Sequence, residues 1–225
     1  MQQTSPSAIL CDPDGVLIDT RRLDVECYRR ALAPYLYRDV TEAEILARWS
    51  GSERQFIREW IGERYAEECL AAVRRHYAAL HTSLGGGVYE GVREMLAALR
   101  SAGYPLGVVS GKGREAWEVT ERELALGPFA AVVTDDDASA PEPEVERLLT
   151  AARAMGVDGA HCVYVCASAD ALHAGRSAGM RVAAALWPMT ESGEAERFVN
   201  EAAAYAPDYT FARPADVTRA FAAWC

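Results

Sequence analysis

A chain of 225 residues, half of them apolar and a quarter charged, has the composition of a globular domain or of a core carrying a modest insertion. Acidic side chains outnumber basic ones 33 to 23, a formal charge of −10. Nothing in that balance gathers polyanions, which excludes nucleic acid and anionic membrane surfaces as partners but leaves a small phosphorylated or anionic molecule open. The six cysteines (Cys11, Cys27, Cys69, Cys162, Cys166, Cys225) form no CxxC pair. With neither a signal-like N-terminus nor an apolar run near the roughly 18 residues of a spanning helix, the expectation is a reduced, cytoplasmic protein.

The first predicted strand, Ser7 to Cys11, runs into Asp12-Pro13-Asp14-Gly15. Residues two apart on extended backbone share a side, so Asp12 and Asp14 converge on one small volume. One can attack an electrophile while the other shuttles a proton. Pro13 between them lacks an N–H, removing one backbone donor from the turn.

From Arg21 to Gly85 no strand-like run occurs. Ser52-Glu53-Arg54-Gln55 reads as a capping box opening a helix toward Tyr65, and a second helix fits Glu67 to His81. Gly85-Gly86-Gly87 closes this stretch as a flexible joint. The expected organisation is an α/β core of residues 1–20 and 86–225 with a helical cap of residues 21–85, lying over the catalytic edge as a lid.

Strands then alternate with helices. Strands are predicted at Pro105 to Val109, Ala131 to Val133, Cys162 to Val165, Arg181 to Ala185 and, more weakly, Asp208 to Phe211. Helices are predicted at Val92 to Ala102, Arg114 to Leu124, Glu144 to Met155, Ala169 to Ser177, Glu191 to Ala204 and Pro214 to Trp224. Near-continuous apolar strands alternating with helices indicate a doubly wound parallel sheet covered on both faces. Its ligands sit at the carboxyl edge, where Asp12 and Asp14 lie.

Asp12-Pro13-Asp14-Gly15-Val16-Leu17-Ile18-Asp19-Thr20 resembles the first motif of the haloacid dehalogenase-like hydrolases, in their phosphoglycolate-phosphatase-like form with a helical cap. Leu106 to Lys112 looks like the second motif, and Cys162 through Met180 resembles the fourth. The resemblance implies a Rossmann-like core, Asp12 as nucleophile and Asp14 as general acid. It further implies phosphate binding by Ser110, Gly111 and Lys112, and Mg²⁺ held through Asp12 and Asp14.

Two motifs depart from the pattern. Ala140-Pro141-Glu142-Pro143-Glu144 carries alanine where the family has lysine, and Lys112, the only lysine in the chain, stands as the conceivable replacement. Val165-Cys166-Ala167-Ser168-Ala169-Asp170-Ala171 has alanine at both metal-binding positions, with Asp170 one residue out of register as a possible ligand. Asp135-Asp136-Asp137 is a further candidate ligand set, against the plainer reading of a solvated acidic loop.

The leading expectation is therefore a descendant of Mg²⁺-dependent phosphatases with weak or absent turnover and a binding or regulatory role, needing no cofactor if inactive. The alternative is an active phosphohydrolase with a rearranged site. Metal-free chemistry at carbon ranks last. Arg21, Arg22, Arg48 and Arg54 on the cap are candidate contacts for an anionic ligand.

Overall fold

The structure, a computed structural model, describes residues 6–49, 51–138 and 143–222. The first strand, β1 (Ala8–Cys11), is followed by the short β2 (Ile18–Asp19) and four helices: α1 (Arg21–Leu36), α2 (Glu42–Arg48), α3 (Glu53–Ile61) and α4 (Glu63–Leu84). The chain returns through β3 (Gly87–Val88) and α5 (Val92–Ser101), then β4 (Leu106–Val109), α6 (Arg114–Leu124) and β5 (Ala131–Val133). It continues with α7 (Pro143–Ala154), β6 (Cys162–Cys166), α8 (Ala169–Ser177), β7 (Arg181–Ala185), α9 (Glu194–Ala202), β8 (Tyr209–Phe211) and α10 (Pro214–Phe221).

Six strands form one parallel sheet in the order β5-β4-β1-β6-β7-β8. Leaving β1, the chain builds one side through β4 and β5, then crosses to pair β6 on the other. The carboxyl end of β1 is thus the point where strand order reverses, the usual place for a ligand crevice in such sheets.

β1 shows how the core is divided. Ala8 and Leu10 face a cluster with Leu148 and Ala151 of α7 and Leu172 of α8. Ile9 and Cys11 face a second cluster with Met95 and Leu96 of α5 and Val217 and Phe221 of α10. This two-residue alternation, buried on both sides, is what a central parallel strand requires. The inserted helices between β2 and β3 pack around a third cluster that includes Leu23, Tyr28, Leu32, Phe56, Ile57 and Leu70, which α6 joins through Ala116 and Val119.

The structure revises several sequence expectations. The helix from Ser52 ends at Ile61, because Gly62 adopts φ +78°, and α4 starts at once and extends to Leu84. Ser52 caps α3 by accepting from the Gln55 N–H (3.2 Å), while the Gln55 amide turns along its own helix to Glu59 (2.9 Å). Strands β2 and β3 pair antiparallel where the insert leaves and rejoins the core, an element too short to show periodicity. The helix expected from Glu191 begins at Glu194 and ends in a 3₁₀ turn at Ala203–Tyr205.

Candidate functional site

β1 delivers Asp12 to the carboxyl edge of the sheet, and the turn behind it brings the Asp14 N–H to Asp12 Oδ1 at 3.2 Å. Both residues line one cavity, and the Asp14 carboxylate lies near enough for its charge to act on Asp12. Desolvation raises Asp12 well above the ordinary carboxyl range, with Asp14 and Glu144 adding to the effect.

Lys112 reaches the same floor from the loop after β4, but it turns to Asp14 rather than Asp12. Its Nζ lies 2.7 Å from Asp14 Oδ1 and 2.7 Å from Asp24 Oδ1. Asp24, in the first turn of α1, belongs to the insert, so the ammonium bridges insert and core. Thr20 Oγ1 sits 2.8 Å from Asp14 Oδ1 and 2.7 Å from Asp24 Oδ2, and its single proton serves one of them at a time. Burial alone would lower the Lys112 ammonium, but Asp14 and Asp24 hold it well above its ordinary value, and the Tyr77 ring lies 4.9 Å away. Burial pushes Asp24 up to about 6 despite the lysine.

Ser110 is buried, and its Oγ accepts from the Lys112 N–H at 3.1 Å. Gly111 lies beneath the insert. Its carbonyl accepts from the Glu53 N–H (2.8 Å), and a Cβ on Gly111 would fall 2.4 Å from the Gly51 carbonyl oxygen. Gly51, at φ +73°, would itself drive a Cβ to 2.6 Å from Glu144 Oε2, so glycine is required on both sides of this contact.

The loop is pinned by a buried ion pair. Arg147 Nη1 donates to Asp135 Oδ1 (2.8 Å) and Nη2 to the Gly51 carbonyl (2.6 Å). Asp135 Oδ2 in turn accepts from the Ser52 hydroxyl (3.1 Å) and the Arg54 N–H (3.0 Å). Asp136 takes Arg74 (2.9 Å) and the Arg114 N–H (2.8 Å), while Asp137 takes the Thr134 N–H and hydroxyl and the Arg114 guanidinium. In Asp135-Asp136-Asp137 the carboxylates are engaged by arginines, hydroxyls and N–H groups rather than arranged around a metal ion; Asp135 is buried, and Asp136 and Asp137 are exposed.

The fourth-motif turn departs from a metal cage as well. Ala167 occupies the expected ligand position, its methyl 3.8 Å from where a Gly15 Cβ would stand. Asp170 is exposed in the first turn of α8 and lines the same cavity as Asp12 and Glu144. Among the described residues no group of three or more His, Cys, Asp or Glu side chains is arranged to hold a metal ion. The described donors thus do not fit the carboxylate cage that the resemblance implies for Mg²⁺. Ala140, Pro141 and Glu142 of the third motif lie outside the described residues. Glu144 is described, and burial pushes its carboxyl up to about 7.

Asp12, Asp14, Asp24, Gly111, Lys112 and Glu144 line a cavity of about 750 Å³ between sheet edge and insert. A family model described as haloacid dehalogenase-like hydrolase matches residues 9–185, the span from β1 through β7. The chain belongs to that family. It is 29% identical over 218 residues to the pyrophosphatase PpaX of Bacillus velezensis, covering 94% of each chain. It is 27% identical over 212 residues to the PpaX of a Bacillus cereus strain, again covering 94% of each. The fold is shared with a putative phosphoglycolate phosphatase from Lactobacillus plantarum (TM-score 0.79, 19% identity, 97% of this chain and 100% of that one). It is also shared with CbbY from Rhodobacter sphaeroides in complex with phosphate (TM-score 0.76, 19% identity, 94% and 96%). Among the described residues no helix is long and apolar enough to cross a membrane.

Sequence reasoning brought Asp12, Asp14, Ser110, Gly111 and Lys112 to one loop cluster, and they are together there. It missed Asp24, Thr20, Glu53 and Arg147. For Arg147 a signal existed: positions 144, 147, 148 and 151 share one face of α7. That face is the core face at Leu148 and Ala151, where a charge demands a buried partner.

Proposed function

We propose that the protein is a phosphatase-like hydrolase that binds a small phosphorylated molecule over Asp12 and transfers its phosphoryl group slowly. The observation that carries this reading is the placement of the single lysine. Lys112 is committed to Asp14 and Asp24, and among the described residues no cation lies within bonding distance of Asp12. In this reading Asp12 attacks phosphorus as the leaving oxygen departs, and water then hydrolyses the aspartyl phosphate. Asp14 Oδ1 is engaged by Lys112, so Oδ2 is the oxygen of Asp14 left to face the leaving group.

Phosphoryl transfer depends mostly on electrostatic stabilisation, and losing one preorganised donor costs about 100- to 1,000-fold in rate. A site with alanine at the lysine and metal-acid positions loses more than one such group. Of the expected phosphate-binding residues, Gly111 and Lys112 line the cavity, whereas buried Ser110 does not. A second reading, an active enzyme with a rearranged site, is favoured by Glu144, which lies near enough to Asp12 and Asp170 for their charges to interact.

Hydrolysis of p-nitrophenyl phosphate with and without Mg²⁺, set against Asp12→Asn, tests the proposal. Slow turnover abolished by the substitution is expected. Turnover indifferent to Asp12 would remove Asp12 as nucleophile.

A further inference from the structure

The ceiling of the cavity carries information that the catalytic floor does not. It is formed by Val25 and Tyr28 of α1, Ile45 and Leu46 of α2, and Trp49 just beyond it. Trp49 comes close to the phosphate loop: its Cζ2 would lie 3.4 Å from a Cβ on Gly111. It is braced by Tyr28 and Phe56, with ring centroids at 5.7 and 5.5 Å. Leu46 is 44% exposed, one of few large apolar side chains so placed, and it opens into this cavity.

Among the described residues, the arginines that line the cavity are Arg21, Arg147 and Arg197, and Arg147 is spent on Asp135 and the Gly51 carbonyl. Of the four arginines that the sequence offered, only Arg21 lines the cavity, and it is paired with Glu42 (3.0 Å) and Glu194 (3.3 Å). Arg48 stacks on Trp60 at 4.1 Å, and Arg54 is paired with Glu67 and Asp136. Arg197, on the core rim, is the remaining cation of the lining, with Glu194 and Glu201 three and four residues away on α9.

We infer that the group attached to the phosphoryl is an uncharged, apolar, aromatic alcohol, seated against Leu46 and Trp49, rather than a second phosphate or a carboxylate. This rests on the reading that a phosphoryl group binds over Asp12. An apolar wall rewards a flat ring by burial and ring-on-ring contact. A second phosphate placed there would lose water without gaining a counter-charge. The preference differs from what the name of the pyrophosphatase relatives would suggest for this chain.

The test uses non-hydrolysable phosphonates, so it reads binding whatever the turnover. Calorimetric titration of the full chain would compare 1-naphthylmethylphosphonate with methylphosphonate, methylenebisphosphonate and phosphonoacetate. The naphthyl compound is expected to bind at least about tenfold more tightly than the other three, the scale of one bulky apolar group buried. Leu46→Arg, at an exposed position, should erase that advantage and favour the bisphosphonate. Two results would overturn the inference alone: methylphosphonate binding as tightly as the naphthyl compound, or bisphosphonate or phosphonoacetate binding most tightly in a manner lost in Arg197→Ala. Failure of all four phosphonates to bind would instead overturn the phosphoryl-site reading, and the inference with it.

Discussion

Replacing Lys112 with methionine removes the ammonium shared by Asp14 and Asp24 while keeping most of the side-chain volume. Each N–O separation is 2.7 Å, and the lysine side chain is 5% exposed. At an effective dielectric of about 20, each contact is worth roughly 6 kcal/mol of gross Coulomb energy. Desolvation of the three groups cancels much of this, and breaking a buried pair by removing one partner costs about 3–5 kcal/mol net. For a chain of this size a lost kcal/mol lowers Tm by about 2–4 °C, so Lys112→Met should melt about 6–20 °C below the wild type at neutral pH. The assay is thermal and urea unfolding at pH 7 and pH 5. Because Asp24 sits at about 6, acid neutralises a carboxylate that the variant strands, and the deficit should shrink at pH 5. Adding Asp24→Leu should restore part of the loss by making the remnant apolar. A Lys112→Met protein within about 1 kcal/mol of wild type at both pH values would refute the claim that this ion cluster ties the insert to the floor.

Arg147→Leu should cost a similar 3–5 kcal/mol, because it strands a buried Asp135, and Arg147→Leu with Asp135→Leu should be less damaging than the single change; a double-mutant cycle in urea checks this. Asp24 at about 6, and Glu53 and Glu144 at about 7, take up protons on folding that ordinary carboxyls in the unfolded chain do not hold. The folded state then binds more protons, stability falls as pH rises, and the urea midpoint should climb as pH drops from about 8 to about 5. Below that range the depressed carboxyls Glu26, Glu44 and Asp137 are protonated, their contribution is lost, and the trend should reverse. Asp12 is raised as well, so any Asp12-dependent turnover should increase with pH as its carboxylate forms, a rise that a pH–rate profile reads directly.

The long apolar strands were legible because central parallel strands need no partner information: Ala8–Cys11 and Cys162–Cys166 are buried on both faces and read as continuous runs. The β2–β3 pair was not, since two residues per strand hold no period. Asp12 and Asp14 stood out because local spacing places them, and Ser110 only because its run resembles the family's second motif. Asp24 did not, because its pairing with Lys112 arises only across the fold; for Arg147 the core face of α7 signals a buried charge, but its partners Asp135 and Gly51 are set only by the fold. The partners of the acidic run Asp135-Asp136-Asp137 were hidden for the same reason. Its arginine and hydroxyl partners come partly from the insert, and no local pattern announces them.

In the proposed function the aspartate pair persists while the charges that would make it fast are missing. Restoring Ala140→Lys together with Ala167→Asp, and measuring kcat/KM for an aryl phosphate in Mg²⁺, addresses it most directly. The account predicts a gain of at least about 100-fold over wild type, dependent on Mg²⁺ and abolished by Asp12→Asn. A wild-type protein that already turns over rapidly through Asp12, and gains nothing from the two repairs, would contradict it.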